Sequence, residues 1–98
     1  MSTAPAGIPP TIEITVLTQS DCPLCEHATA VLARVKQEYP LAVRQIALGS
    51  EEGRALAEHH RVLFAPGVLL DGELVGYGRL SERRLRRELA RQSKPADQ

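Results

Sequence analysis

The sequence predicts an α/β domain in which three helices cover a four-stranded mixed sheet, in the order β-α-β-α-β-β-α. Three observations support this fold class. Apolar residues recur with the period of a strand in two segments, and a segment of helical period follows each of them. A two-residue turn near residue 71 then joins two short apolar runs, and an amphipathic segment follows. A chain of 98 residues has room for one such domain.

The first strand and the first helix are predicted from the segment that ends at Pro40. Residues 11–17, TIEITVL, alternate apolar and polar side chains, which is the spacing of a strand. Pro23 fits the first turn of a helix, where a missing N–H costs nothing. Helical spacing of apolar residues continues from there, and Pro40 disfavours its extension. We therefore predict a helix from residue 23 to about residue 39.

The second strand and the second helix follow at residues 41–61. Residues 41–48, LAVRQIAL, favour a strand that is parallel to the first, since a helix connects the two. Ser50 is placed to cap a helix that runs through about residue 61. Gly53 is expected to weaken that helix, because glycine is a poor helix former.

The hairpin and the last helix are predicted from their turn and cap residues. Asp71-Gly72 is a preferred two-residue hairpin turn, so the two strands that it joins must be antiparallel. Ser81 is placed to cap a helix whose leucines lie four residues apart. We assign the folded domain to residues 11–92. The proline-rich residues 1–10 and residues 93–98 are predicted to be a flexible arm and a flexible tail.

Charge and composition argue against nucleic-acid binding. The chain has no net formal charge, so no overall field attracts it to nucleic acid or to a membrane surface. The last helix is rich in arginine, but Glu82 and Glu88 interrupt the basic residues and no aromatic residue lies among them. We interpret this helix as having a solvated charged face.

The sequence favours a cytoplasmic monomer. No apolar run approaches the roughly 20 residues of a membrane span, and residues 1–10 lack the basic and apolar regions of a signal peptide. Thiols are kept reduced in the cytoplasm. A bridge between residues 22 and 25 would also close too short a loop to add much stability. A permanent structural disulfide is therefore disfavoured.

Both cysteines of the chain lie in SDCPLCEH, at residues 20–27. Cys22 falls at the start of the first helix, where free N–H groups and the helix dipole stabilise a thiolate. A thiolate is the form that attacks a disulfide. Cys25, one helical turn further, could resolve the resulting mixed disulfide. The carboxylate of Asp21 opposes ionisation of Cys22, but the spacing permits a two-electron cycle.

Zinc binding is the competing interpretation of this pair. One CxxC supplies two of the four ligands that a structural zinc site needs. His27 lies about 200° around the helix from Cys25. The remaining histidines, His59 and His60, belong to a different helix. We therefore expect no metal and no bound cofactor.

Four segments resemble the thioredoxin superfamily, and the size and layout of the chain most resemble the glutaredoxins. CPLC (22–25) opens the helix of a βαβ unit and is similar to the glutaredoxin Cys-Pro-aromatic-Cys. FAPGVLLDGE (64–73) resembles the cis-proline segment and hairpin of the family, and VGYG (75–78) resembles the glycines after its last strand. GRLSERRLRREL (78–89) is similar to a thioredoxin ending. The resemblance implies a thioredoxin-like fold.

The resemblance also implies roles for individual residues. Cys22 would be the nucleophile and Cys25 the resolving thiol of a small thiol–disulfide oxidoreductase. The Ala65-Pro66 bond would be cis and would lie beside the cysteines. The residues implied to contact the substrate are Pro23, Leu24, Ala65 and Pro66. The implied partners are a protein or small-molecule disulfide and a reductase.

The electron donor stays open between glutathione and a thioredoxin reductase. Glutaredoxins usually carry Lys or Arg shortly before the first cysteine, to attract a glutathione carboxylate, whereas this chain has Gln19. The paired glycines and acidic residues that anchor the other end of glutathione are replaced by GYGRLS at residues 76–81.

Two other functional classes also stay open. The fold could serve as a non-catalytic module that binds a partner or a metal, with an inert CxxC. It could also carry an iron–sulfur cluster in a glutathione-ligated dimer, which would require the glutathione contacts discussed above.

Overall fold

The computed structural model describes residues 11–93 and shows the predicted order of elements. The elements are β1 (Ile12–Thr18), α1 (Pro23–Lys36), β2 (Leu41–Ala47), α2 (Glu51–His60), β3 (Gly67–Leu70), β4 (Glu73–Tyr77) and α3 (Glu82–Ser93). The predicted arm, residues 1–10, lies outside the described residues, as does the predicted tail, residues 93–98, except for Ser93, which belongs to α3. Across residues 11–93, none of the helices has the length and apolar character to cross a membrane.

The four strands form one mixed sheet in the order β2-β1-β3-β4. β1 and β2 are parallel, with Ile12 opposite Leu41 and Thr18 opposite Ala47. β3 is antiparallel to both of its neighbours, β1 and β4. As a consequence, the carboxyl ends of β1 and β2 lie at the same edge of the sheet as the amino end of β3.

Helices cover both faces of this sheet, as predicted. Val16 and Leu17 point to opposite faces of β1, and both are buried. On the face of Val16, α1 and α3 pack against β1 and β3 in the larger core. On the face of Leu17, α2 packs through half-buried Leu56 and Ala57. The fully buried residues of the larger core include Ile14, Val31, Val35, Leu70, Leu85 and Leu89.

The caps and the hairpin turn lie where the sequence predicts them. The hydroxyl of Ser50 accepts a hydrogen bond from the N–H of Gly53 at 3.0 Å. The hydroxyl of Ser81 accepts one from the N–H of Arg84 at 3.1 Å. Asp71 and Gly72 have φ angles of 49° and 87°, which a tight hairpin turn requires. The two caps and the turn are thus formed by residues that lie close together in the sequence.

α1 ends earlier than predicted. Its last residue is Lys36, and the N–H of Gln37 bonds to the carbonyl of Arg34 at 3.2 Å. This bond spans three residues instead of four, so the chain tightens into a turn before it reaches Pro40. Pro40 therefore follows the turn instead of ending the helix directly.

Gly53 has a packing role that its low helix propensity does not reveal. A Cβ on Gly53 would overlap the carbonyl oxygen of Ala47 and would lie 3.0 Å from the Cα of Leu48. The absence of a side chain therefore lets the first turn of α2 approach the end of β2.

Candidate dithiol site

Three chain segments meet at the edge of the sheet where β1 and β2 end and β3 begins. The cysteine segment follows β1, Leu48 follows β2, and Ala65 and Pro66 precede β3. The N–H of Leu48 donates to the carbonyl of Thr18 at 2.7 Å and links the ends of the two parallel strands. The edge beyond the carboxyl ends of parallel strands is where α/β folds commonly place their sites.

Cys22 is the N-cap residue of α1. Its backbone is extended, with φ −124° and ψ 97°, and its carbonyl accepts hydrogen bonds from the N–H groups of Cys25 and Glu26. Its Sγ also accepts from the N–H of Cys25, at 3.1 Å. The N–H of Cys25, in the first turn of the helix, is thus shared between the carbonyl and the sulfur of Cys22. The same contact, together with the helix dipole, favours a negative charge on this sulfur when the pair is reduced.

Cys25 lies one turn into α1 and forms a disulfide with Cys22. Their Cα atoms are 5.2 Å apart, within the usual range for disulfides. Each cysteine is only 7% exposed. The backbone thus holds the two side chains at bonding distance, as the spacing predicts.

The Ala65-Pro66 peptide bond is cis, as predicted. Ala65 is buried and packs in one cluster with Cys22 and Cys25. The half-buried side chains that border this cluster are Leu24 and Leu48. Tertiary structure therefore brings together the two cysteines, Leu24 and Ala65 from distant parts of the chain.

Pro66 and Pro23 occupy different positions relative to this cluster. Pro66 is fully buried, and its carbonyl accepts a hydrogen bond from the N–H of Gly78 at 2.8 Å. Its ring therefore presents no surface to a ligand. Pro23 is exposed on the first turn of α1 and is not part of the cluster.

A cavity of about 190 Å³ opens beside the disulfide and is lined by both cysteines. Its other lining residues are Thr18, Gln19, Asp21, Glu26, Thr29 and Gln45. The charged residues among them are two carboxylates, Asp21 and Glu26. Within residues 11–93, neither carboxylate forms an ion pair. The cavity gives the otherwise buried sulfurs a polar opening.

Glu26 and Gln45 belong to the site although the sequence motifs do not point to them. Glu26 follows Cys25 directly, so its place at the cavity could have been inferred from the predicted start of α1. Gln45 lies in β2 and reaches the cavity only because β2 pairs with β1. No local pattern signals that contact.

Exposed apolar side chains precede the cis bond, and these too were not predicted. Leu63 and Phe64 are 74% and 52% exposed. The ring of Phe64 packs edge to face on that of Tyr77, with 5.1 Å between their centroids. Phe64 lies in a loop and Tyr77 is the last residue of the edge strand β4, so the hydrophobic periodicity of the sequence does not predict their exposure.

His27 makes a contact away from the disulfide. Its Nε2 lies 3.3 Å from the carbonyl oxygen of Leu80, which precedes α3. In the part of the chain that the structure describes, no three His, Cys, Asp or Glu side chains are grouped to hold a metal ion.

Residues 13–90 match the family model described as a glutaredoxin-like domain. The structure is also similar to that of a mutant thioredoxin from Halobacterium salinarum NRC-1, with a TM-score of 0.66 and 22% identity over 87% of this chain and 77% of that one. A malarial protein of known structure has a TM-score of 0.61 and 14% identity, over 88% of this chain and 100% of that one. At such identities the likeness concerns the fold, and it confirms the thioredoxin-like architecture. A search of curated proteins found no match.

Proposed function

Because the chain belongs to the glutaredoxin-like domain family, we propose that it is a thiol–disulfide oxidoreductase that reduces disulfides through Cys22 and Cys25. The observation that carries this proposal is the position of the Cys22 sulfur. It lies at the N-cap of α1, accepts a hydrogen bond from the N–H of Cys25, and is within bonding reach of the Cys25 sulfur. This arrangement suits a nucleophile and a resolving thiol, because it favours a thiolate and places a second sulfur within reach of it.

The first step is attack by the reduced protein on its substrate. The Cys22 thiolate attacks one sulfur of the substrate disulfide, and a bond forms between the two sulfurs. The substrate S–S bond breaks, and its second sulfur leaves as a thiolate that takes a proton from solvent. The N–H of Cys25 and the dipole of α1 favour the charged form of Cys22 before the attack.

The second step releases the substrate. The Cys25 thiol loses its proton and attacks the Cys22 sulfur, so that the Cys22–Cys25 disulfide forms and the remaining substrate thiol leaves. Two electrons have then passed from the protein to the substrate. A donor thiol, supplied by glutathione or by a thioredoxin reductase, restores the dithiol. The proposal includes a cytoplasmic location, where such donors are kept reduced.

The proposed substrate-binding surface consists of Leu24 and Ala65, which border the cysteines. Buried Pro66 would hold Ala65 in position, and exposed Pro23 would flank the approach to Cys22. A substrate that approaches the nearly buried cysteines from this side would contact these residues.

Cysteine variants test the activity directly. In an insulin-reduction assay driven by dithiothreitol, the Cys22→Ser variant should lose the activity, because the attacking sulfur is gone. When it is reduced, separated from dithiothreitol and mixed with insulin, the Cys25→Ser variant should accumulate a mixed disulfide with its substrate, detectable by mass spectrometry, because no second thiol of the protein is present to release the substrate. Equal activity in wild type and Cys22→Ser would refute the proposal. Assays with NADPH and either glutathione plus its reductase or a thioredoxin reductase would identify the donor.

A non-catalytic binding module is the second candidate function, and the low exposure of both cysteines favours it. Alkylation of the reduced protein by iodoacetamide at varied pH separates the two. The proposed oxidoreductase should have a Cys22 alkylation midpoint below about 8.5, the value for free cysteine. A midpoint at or above that value, with no disulfide formed by a mild oxidant, would favour the module.

A further inference from the structure

We propose that the dithiol site prefers disulfides that carry a positive charge close to the S–S bond, and that Asp21 and Glu26 are responsible for this preference. The inference rests on the proposed function, since it concerns the substrate of the same site. The preferred substrates are cationic disulfides, which should react faster than anionic ones.

The cavity beside the disulfide is the place where the charge of a substrate group can affect its reaction with the cysteines. Both cysteines are among its lining residues, so a substrate group that extends past the attacked sulfur on this side enters it. Its volume of about 190 Å³ is that of several water molecules, enough for a short substrate arm. Its lining residues include two acidic ones, Asp21 and Glu26, and no basic one.

The two acidic residues flank the cysteine pair in the sequence. Asp21 precedes Cys22 directly, and Glu26 follows Cys25 directly. Among the described residues, the arginines that form ion pairs do so with other carboxylates, as Arg44 does with Glu52. The negative charge of Asp21 and Glu26 is therefore not neutralised by an ion pair within residues 11–93.

A concave site of one sign raises the local concentration of oppositely charged substrates and repels those of like charge. Both carboxylates are exposed, so solvent weakens the effect. Each carboxylate should change the relative rate of a charged disulfide by about two- to fivefold, the range of exposed charge pairs. Added salt should reduce the preference, because it screens such interactions.

The test uses the full chain in a single turnover with three small disulfides. They are cystamine, which carries two ammonium groups, bis(2-hydroxyethyl) disulfide, which is neutral, and 3,3′-dithiodipropionate, which carries two carboxylates. The protein is reduced with dithiothreitol, separated from it, and mixed with each disulfide. Acid quenching, alkylation of free thiols and mass spectrometry then give the rate at which Cys22 and Cys25 are oxidised.

The informative quantity is the rate with a charged disulfide divided by the rate with the neutral one, compared between protein variants. The three disulfides differ in intrinsic reactivity, and a change in the ionisation of Cys22 alters all three rates together. Both effects cancel in this comparison. The variants are Glu26→Gln and Asp21→Asn, and asparagine tolerates the positive φ of residue 21. Glu58→Gln, an exposed change outside the cavity, is the matched control.

In each cavity variant the relative rate with cystamine should fall about two- to fivefold, and that with dithiodipropionate should rise by a similar factor. High salt should have the same effect on the wild type, and the Glu58→Gln variant should behave as the wild type. If the relative rates do not change with Glu26→Gln, with Asp21→Asn or with salt, the charge preference is refuted. Oxidation of the reduced protein by the neutral disulfide would in that case still support the proposed function. If none of the three disulfides oxidises the reduced protein, the proposed function fails, and this inference fails with it.

Discussion

Replacement of Gly53 by alanine should destabilise the protein, although the same change in most helices is stabilising. Alanine is favoured over glycine inside a helix by about 0.5–1 kcal/mol. At this position the new Cβ would overlap the carbonyl oxygen of Ala47 and lie 2.9 Å from its carbonyl carbon and 3.0 Å from the Cα of Leu48. All three are backbone atoms, so no side-chain rotation relieves the overlap.

Either the start of α2 or the end of β2 must therefore move. Overpacking of a protein interior costs about 1–3 kcal/mol, and a clash with backbone alone belongs at the upper end of that range. After the gain in helix propensity is subtracted, the expected net loss is about 2 kcal/mol. Because Leu48 borders the cluster of Cys22, Cys25 and Ala65, the variant should also react more slowly with a disulfide.

Urea unfolding followed by circular dichroism measures the loss in stability. A loss of about 2 kcal/mol should lower the Tm of a domain of this size by roughly 8–16 °C. Gly49→Ala is the matched control, because no atom lies within 4 Å of its added Cβ, and its stability should stay within about 0.5 kcal/mol of the wild type. A Gly53→Ala variant as stable as the wild type, or equal losses in both variants, would refute the packing argument.

Three further substitutions test the core, a cap and an ion pair, each by urea unfolding. Leu85→Ala should cost about 2–5 kcal/mol because Leu85 is fully buried, and a cost no greater than that of exposed Leu63→Ala would contradict its core position. Ser81→Ala should cost about 1 kcal/mol through loss of the cap bond, whereas an unchanged stability would show that the cap is dispensable. The hydrogen bond and charge of Arg86 hold the pKa of Glu38 below its ordinary value of 4.5. The stability from this pair is present above that value and is lost as pH falls through the lowered pKa. The free energies of unfolding of wild type and Arg86→Met should therefore differ at neutral pH and converge in acid. A difference that does not change with pH would exclude this linkage.

The elements of the site that local chemistry specifies could be predicted. The place of Cys22 at the start of α1 follows from the end of a strand pattern and from Pro23, and the structure places Cys22 at the N-cap. The cis bond between Ala65 and Pro66 was expected from the segment's resemblance to a known family, and it is present. Both inferences depend on short stretches of sequence, where few conformations compete.

The surroundings of the sulfurs could not be predicted in the same way. Gln45 and Leu48 approach the cysteines because β2 pairs with β1 in one particular register, and a strand pattern does not specify its partner. Gly53 illustrates the same limit, because helix propensity predicts a weak position whereas the close approach of α2 to β2 makes glycine necessary.

The order of the elements, their caps and the hairpin turn follow from the amino-acid sequence alone, because period, capping and turn chemistry act over a few neighbouring residues. The surroundings of the dithiol depend instead on how the strands and helices pack together. At one edge of the sheet Ala65 packs in one cluster with Cys22 and Cys25, Leu48 packs against that cluster, and Asp21 and Glu26 are among the residues of the cavity beside the disulfide. Such contacts join residues far apart in the chain, and they exist only once strand pairing has brought those residues together.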